Sequence, residues 1–154
     1  MKRFLIAALL FAAPASADVS ARIGWSITPT THSFDDLIDR VKAAVSKEGL
    51  IVVTQAGPTK AAKRRGINIP GNRVLGVFNN KYAVRTLETS TAAMIEAPIR
   101  FYVTENEDGT ATLSYKTPSH VFAPYAEEGG EDLAAIAVEL DTKFTAIAKR
   151  AAEE

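Results

Sequence analysis

Apolar and polar positions fall into two periods along this chain. Val19 to Thr28 (VSARIGWSIT) places Val19, Ala21, Ile23, Trp25 and Ile27 on one side. That period of two predicts a strand with one buried face, ended by Pro29. From Ser33 to Gly49 the period lengthens. Phe34, Leu37, Ile38, Val41 and Val45 fall on one helical stripe, with Ala44 beside them. Ser33 is placed to cap this helix, Asp35 and Asp36 favour its positive end, and Gly49 supplies a left-handed stop. Leu50 to Thr54 (LIVVT), β-branched from Ile51 onward, predicts a strand buried on both faces. Thr59 to Arg65 predicts a short helix closed by Gly66.

After the Pro70-Gly71 turn, Arg73 to Phe78 (RVLGVF) predicts an interior strand. Gly76 inside it points to a bulge or a close backbone approach. Asn79-Asn80 ends that strand. Tyr82 to Glu96 predicts helix, either as one piece or as two short ones, because Thr86, Thr89, Ser90 and Thr91 lower its propensity. Ile99 to Thr104 and Thr110 to Tyr115 predict a hairpin around Asp108-Gly109. Thr117 to Gly130, with two prolines and two glycines, predicts a loop with at most one helical turn. Leu133, Ile136, Ala137, Leu140, Phe144, Ile147 and Ala148 mark a long amphipathic helix with Lys149 and Arg150 at its negative end. The order β-α-β-α-β-α-β-β-α predicts an α+β two-layer sandwich: a mixed, mostly antiparallel sheet with helices on one face.

The N-terminus changes the compartment rather than the fold. Lys2 and Arg3, the apolar run Phe4–Ala13, and Ala15-Ser16-Ala17 form the pattern of a signal peptide. Residues 1–17 are therefore expected to be removed, leaving a single domain over 18–154 that is periplasmic or secreted. An uncleaved anchor is the alternative. The apolar run is shorter than the roughly 20 residues a spanning helix needs. The chain has no cysteine, so an exported domain must rest on its core, and thiolate metal sites are excluded. With 18 basic and 18 acidic residues, the charge balance points to neither nucleic acid nor an anionic membrane.

The helix ending KEGLIVV, the basic helix AAKRRGINIP, the strand RVLGVFNN and the pair APIRFYV…DGTATLSYKTP together resemble the domain-of-unknown-function family 302 (DUF302). The resemblance spans most of the chain from Thr31 to Tyr125. It implies a compact α+β domain that often forms homodimers, and it brings heme as an alternative cofactor. Two positions depart from the pattern. Ala56-Gly57 stands where the family tends to carry Asp-His, and Phe78-Asn79-Asn80 replaces Gly-Asn-Pro with only Asn79 matching. A site built on the missing histidine is not carried over.

The chemistry available is sparse. His32 and His120 are the only imidazoles. His32, just before a helix cap, reads as an exposed turn residue. His120, beside Val121 and Phe122, is the better candidate for an apolar pocket and for heme ligation. Lys60, Lys63, Arg64 and Arg65 read as a solvated helix face rather than an anion site. Arg100, two residues after Pro98 on a strand, must reach solvent, pair with Glu96 or Glu88, or line a cavity. A structural ion pair is the preferred reading. Asn79, Tyr102 and Tyr115 are candidates to add hydrogen bonds to such a cavity. Trp25 reads as a core residue.

No nucleophile motif and no phosphate-cradling glycine loop is present in the sequence. The reading is therefore a non-enzymatic binding or accessory domain, working as a homodimer with a possible small-molecule ligand. A heme or small-cofactor protein using His120 is the alternative. A hydrolase or isomerase built on Asn79, Arg100 and Tyr115 comes third.

Overall fold

A computed structural model describes residues 19–153; the expected signal segment lies outside the described residues. The elements run β1 (Trp25–Ser33), α1 (Phe34–Lys47), β2 (Ile51–Ala56), α2 (Thr59–Arg64), β3 (Asn72–Phe78), α3 (Asn80–Thr89), a 3-10 turn (Ala92–Glu96), β4 (Ile99–Glu105), β5 (Thr110–Lys116), α4 (Pro118–Phe122), a second 3-10 turn (Ala123–Tyr125) and α5 (Ala126–Ala152). The five strands form one sheet in the order β1-β5-β4-β3-β2. Every pairing between the described strands is antiparallel, so the expected α+β two-layer fold is present without a parallel component.

The period-two pattern of the strands sets the two faces of the sheet. Leu75 and Val77 of β3, Ile99, Phe101 and Val103 of β4, and Ala111, Leu113 and Tyr115 of β5 point to one side and are buried. They pack against Leu37, Val41 and Val45 of α1 and Leu133, Ile136, Leu140, Phe144 and Ile147 of α5. Phe101 stacks on Phe144 at 4.5 Å between ring centroids, and Tyr115 meets both rings at 5.2 and 5.4 Å. Aromatic pairs of this geometry contribute about 0.5–1.5 kcal/mol beyond the area they bury. The opposite face carries alternate residues, among them Arg100, Tyr102, Thr104, Thr112, Ser114 and Lys116. Thr104, Thr112 and Ser114 are nevertheless buried on this face, whereas Arg100 and Lys116 are exposed, and no helix of the described chain packs on it in the way that α1 and α5 pack on the first.

Several sequence expectations require correction. The first strand begins at Trp25 and continues through Pro29 to Ser33, with its register slipping between Pro29 and Ser33. Pro29 is tolerated because β1 is an edge strand, where a missing N–H removes no ladder bond that matters. The run after Gly49 does form β2, but at the other edge. Five of its six residues are exposed, and Ile51 is 60% exposed. β-branching predicts extended backbone, not depth. The 117–130 segment is helical rather than a loop. Thr117 accepts a hydrogen bond from the His120 N–H, Pro118 occupies the first helical turn, and α5 starts at Ala126 with a break at Gly130. The Tyr82–Glu96 stretch resolves into α3 and the 3-10 turn, the two-piece form.

Candidate functional site

The uncovered face of the sheet is concave at one end and holds a cavity of about 660 Å³, within the range of small-molecule sites. Its floor comes from four neighbouring strands, β1, β5, β4 and β3. Register pairs Trp25 with Lys116 across β1 and β5, Phe101 with Tyr115 across β4 and β5, and Gly76 with Arg100 across β3 and β4. One step from the Phe101–Tyr115 pair, Arg100 and Lys116 therefore stand opposite each other on the open face. The next row contains Ile27, Ser114, Tyr102 and Val74. The wall is built by the 3-10 turn, which brings Glu96, and by α4 and the residues after it, which bring His120, Val121 and Pro124.

Close backbone approaches shape this wall. Gly24 has φ of +74° and lies flat under the His120 ring, where an added Cβ would come 2.1 Å from Cγ of the imidazole. The Gly24 carbonyl accepts the Thr117 N–H at 2.8 Å, which fastens the start of α4 to the start of β1. At Gly76 a Cβ would meet Thr54 Oγ1 at 2.2 Å and Pro98 Cγ at 2.8 Å. The close approach there is made by side chains, Thr54 nearest and then the Pro98 ring, rather than by another backbone as expected; Pro98 lies two residues before Arg100 on the same face.

Four of the sequence candidates, Arg100, Tyr102, Tyr115 and His120, border this one cavity. Arg100 forms no ion pair among the described residues. The expected partners are otherwise placed: Glu96 accepts a hydrogen bond from the Tyr125 hydroxyl at 2.8 Å, and Glu88 lies exposed on α3. The hydroxyl of Tyr102 is hydrogen-bonded by the side-chain amide of Asn72. Tyr115 is mainly a core residue, only 4% exposed, that borders the cavity from below. His120 is exposed, and its ring has no hydrogen-bonded carboxylate among the described residues. The Tyr125 hydroxyl is held above the usual phenol range, first by its hydrogen bond to Glu96 and then by burial.

Asn79 does not join them. Its side-chain oxygen accepts from the N–H groups of Lys81 and Tyr82, capping α3, and its amide donates to the Gly49 carbonyl at 2.7 Å. The third reading, a pocket built on Asn79, Arg100 and Tyr115 together, is thus not assembled. His32 is also displaced from its expected role. It is buried, with Nε2 3.1 Å from the Glu153 carbonyl oxygen and Nδ1 3.3 Å from Asp36, where it ties the end of α5 to the start of α1. The basic residues of α2 are exposed, and that helix buries no residue.

The sequence reading missed Trp25, Lys116, Asn72 and Glu96 as lining residues. Trp25 is half-buried rather than core, with the Arg22 guanidinium 5.4 Å and the Lys116 ammonium 6.0 Å from its ring centroid. The hairpin loop has three residues, 107–109, with the Asn106 N–H bonded to the Thr110 carbonyl at 2.8 Å, and this sets Lys116 against Arg100; a two-residue Asp-Gly turn would have placed Thr117 there.

Comparison with known proteins gives fold and family. No curated protein matches the chain. A solved structure described as an uncharacterized conserved protein DUF302 from Bacillus stearothermophilus superposes with a TM-score of 0.72, covering 84% of this chain and 99% of that one at 19% identity. At that identity the likeness concerns the fold alone. The family model described as "Domain of unknown function DUF302" matches residues 26–151, which takes in the five strands apart from Trp25 at the start of β1, and nearly all of α5. With that match and the shared five-stranded architecture, this chain belongs to the DUF302 family.

Proposed function

We propose that this domain is an exported binding or accessory protein that holds a small molecule in the cleft on the open face of its sheet and does not turn it over. The observation that carries the reading is the meeting of Arg100, Tyr102, Tyr115 and His120 around one cavity of about 660 Å³. A general base needs a positioned, tuned partner. His120 has no carboxylate on its ring, and Glu96 is engaged by Tyr125. Trp25, the single tryptophan, lines the cleft and reports on its occupancy. Native mass spectrometry of protein purified from its own host is expected to show a retained small molecule, released in a Tyr102→Ala, Arg100→Ala double variant. Turnover of a metabolite that Arg100→Ala abolishes would overturn the reading.

The same proposal takes the chain as a homodimer formed through the β2 edge. The outer edge of β2 offers unpaired backbone groups beside exposed Ile51 and Val53, and an antiparallel edge is self-complementary about a two-fold axis. Light scattering is expected to show a dimer that Val53→Lys converts to monomer; a monomeric parent protein would dismiss this part.

Heme is the second reading, favoured by the place of His120 at the cavity wall beside Val121 and Pro124. The residues present fit such a group in one way. His120 is the one imidazole bordering the cavity, and Arg100 and Lys116 are the countercharges for its carboxylates. A Soret band that His120→Ala removes is the expected sign, and failure of the protein to take up hemin dismisses it.

A further inference from the structure

The open face holds an arrangement that the fold alone does not explain. Arg100 and Lys116 are directly opposed on adjacent strands of a sheet, by the register of the Phe101–Tyr115 pair. Like charges directly opposite each other destabilise a sheet. Neither residue has a carboxylate partner among the described residues. Glu48 is paired with Arg150 and Glu139 with Arg85. The one carboxylate in the lining, Glu96, sits on the 3-10 turn and is hydrogen-bonded by Tyr125. The other groups facing this end are His120 from α4 and, beyond Trp25, the Arg22 guanidinium.

We infer that the cleft ligand is an organic anion whose carboxylate or phosphate lies between Arg100 and Lys116 and whose flat apolar body rests along Trp25 and Tyr102. The inference builds on the cleft assigned above and names the chemistry of its occupant. An anion placed between the two side chains converts their repulsion into two attractive contacts. The guanidinium supplies paired N–H donors and the ammonium a point charge, a combination suited to either head group. Beside it, Trp25, Val74, Tyr102, Val121 and Pro124 offer apolar and aromatic surface for the rest of the molecule. The Tyr102 ring is held in place by the Asn72 amide on its hydroxyl. The anion also stabilises the fold, because it relieves a repulsion present in the free protein.

The test uses the folded chain and probes that share one ring: benzoate, phenyl phosphate and the uncharged benzamide. Binding is read by Trp25 emission and by thermal shift. Benzoate and phenyl phosphate are expected to bind more tightly than benzamide and to weaken as salt rises. Arg100→Gln and Lys116→Gln are each expected to weaken the anions by roughly tenfold or more while leaving benzamide unchanged. Without any probe, either substitution is expected to raise the melting temperature, and the double variant to gain less than the sum of the two. If benzamide binds as well as benzoate in the parent protein and in both variants, the cleft stands and the anion inference falls. If no probe changes Trp25 emission or the melting temperature, both readings fall. Strictly additive effects of the two substitutions, insensitive to salt, would also overturn the inference.

Discussion

Replacing Gly24 by alanine tests how the wall of the cleft is held. Two costs fall on the same methyl group. Gly24 has φ of +74°, a conformation that costs an L side chain roughly 1–2 kcal/mol. The new Cβ would also come 2.1 Å from His120 Cγ and 2.3 Å from Nδ1, so the imidazole must leave its place. His120 is exposed and can swing away, so this second cost is a rotamer and packing loss of about 1 kcal/mol. The expected total is roughly 2–3 kcal/mol. In a His120→Ala background the steric part vanishes and only the backbone part, about 1–2 kcal/mol, remains. Urea denaturation of the parent, the two single variants and the double variant closes the cycle, with the slope m required to stay constant. The difference between the two backgrounds isolates the contact between Gly24 and His120. An equal loss in both backgrounds would refute the close approach. A loss below roughly 0.5 kcal/mol would refute the positive φ as well.

Two further outcomes separate structure from site. Asn79→Ala is expected to lose about 1 kcal/mol or somewhat more, because it removes the cap of α3 together with the bond to the Gly49 carbonyl; urea melts check the loss, and a change in probe binding at the cleft would contradict the purely structural role. Glu139 is held below the usual carboxylate range, first by its hydrogen bonds from Arg85 at 2.8 Å. Its contribution to stability is therefore complete above an ordinary glutamate pKa of roughly 4.3 and is lost as pH falls through the lowered value. Both partners are largely exposed, so the effect is small and screened by salt. Urea midpoints followed from neutral to acid pH should fall less steeply for Glu139→Gln than for the parent, and parallel curves would refute the assignment.

Much of the fold was legible because local chemistry and global architecture agree. The stripe Leu37, Ile38, Val41, Val45 fixed α1 and its buried face. The Asp108-Gly109 turn fixed the hairpin, and the stripe from Leu133 to Ala148 fixed the long helix. The errors share a physical cause: a residue's local preference says which conformation it adopts but not where in the sheet it lies. Proline lacks a donor and so predicts the end of a strand at Pro29, yet at an edge that donor is not needed. The β-branched run from Ile51 predicts a doubly buried strand, yet β2 lies at the other edge. The prolines and glycines of 117–130 predict a loop, yet Thr117 and Pro118 start a helix.

The candidate site divides the same way. By itself the sequence determined that Arg100 follows Pro98 on a strand and that Tyr102 and Arg100 share a face; the register that sets Lys116 opposite Arg100 comes from a three-residue loop, 107–109, that only the structure shows. The first two follow from the two-residue period of a strand, which is local. The sequence also predicted helices on one face of the sheet; only the tertiary structure decided that β1 and β2 take its two edges and that the other face forms a cleft. The tertiary structure also folded His120 over Gly24 and brought Glu96 and Pro124 round as a wall, and it turned Asn79 into a cap outside the cleft's lining. Those outcomes depend on packing between elements distant in sequence, where the volume of the Phe101, Tyr115 and Phe144 rings and the absence of a side chain at Gly24 and Gly76 decide which surfaces can meet.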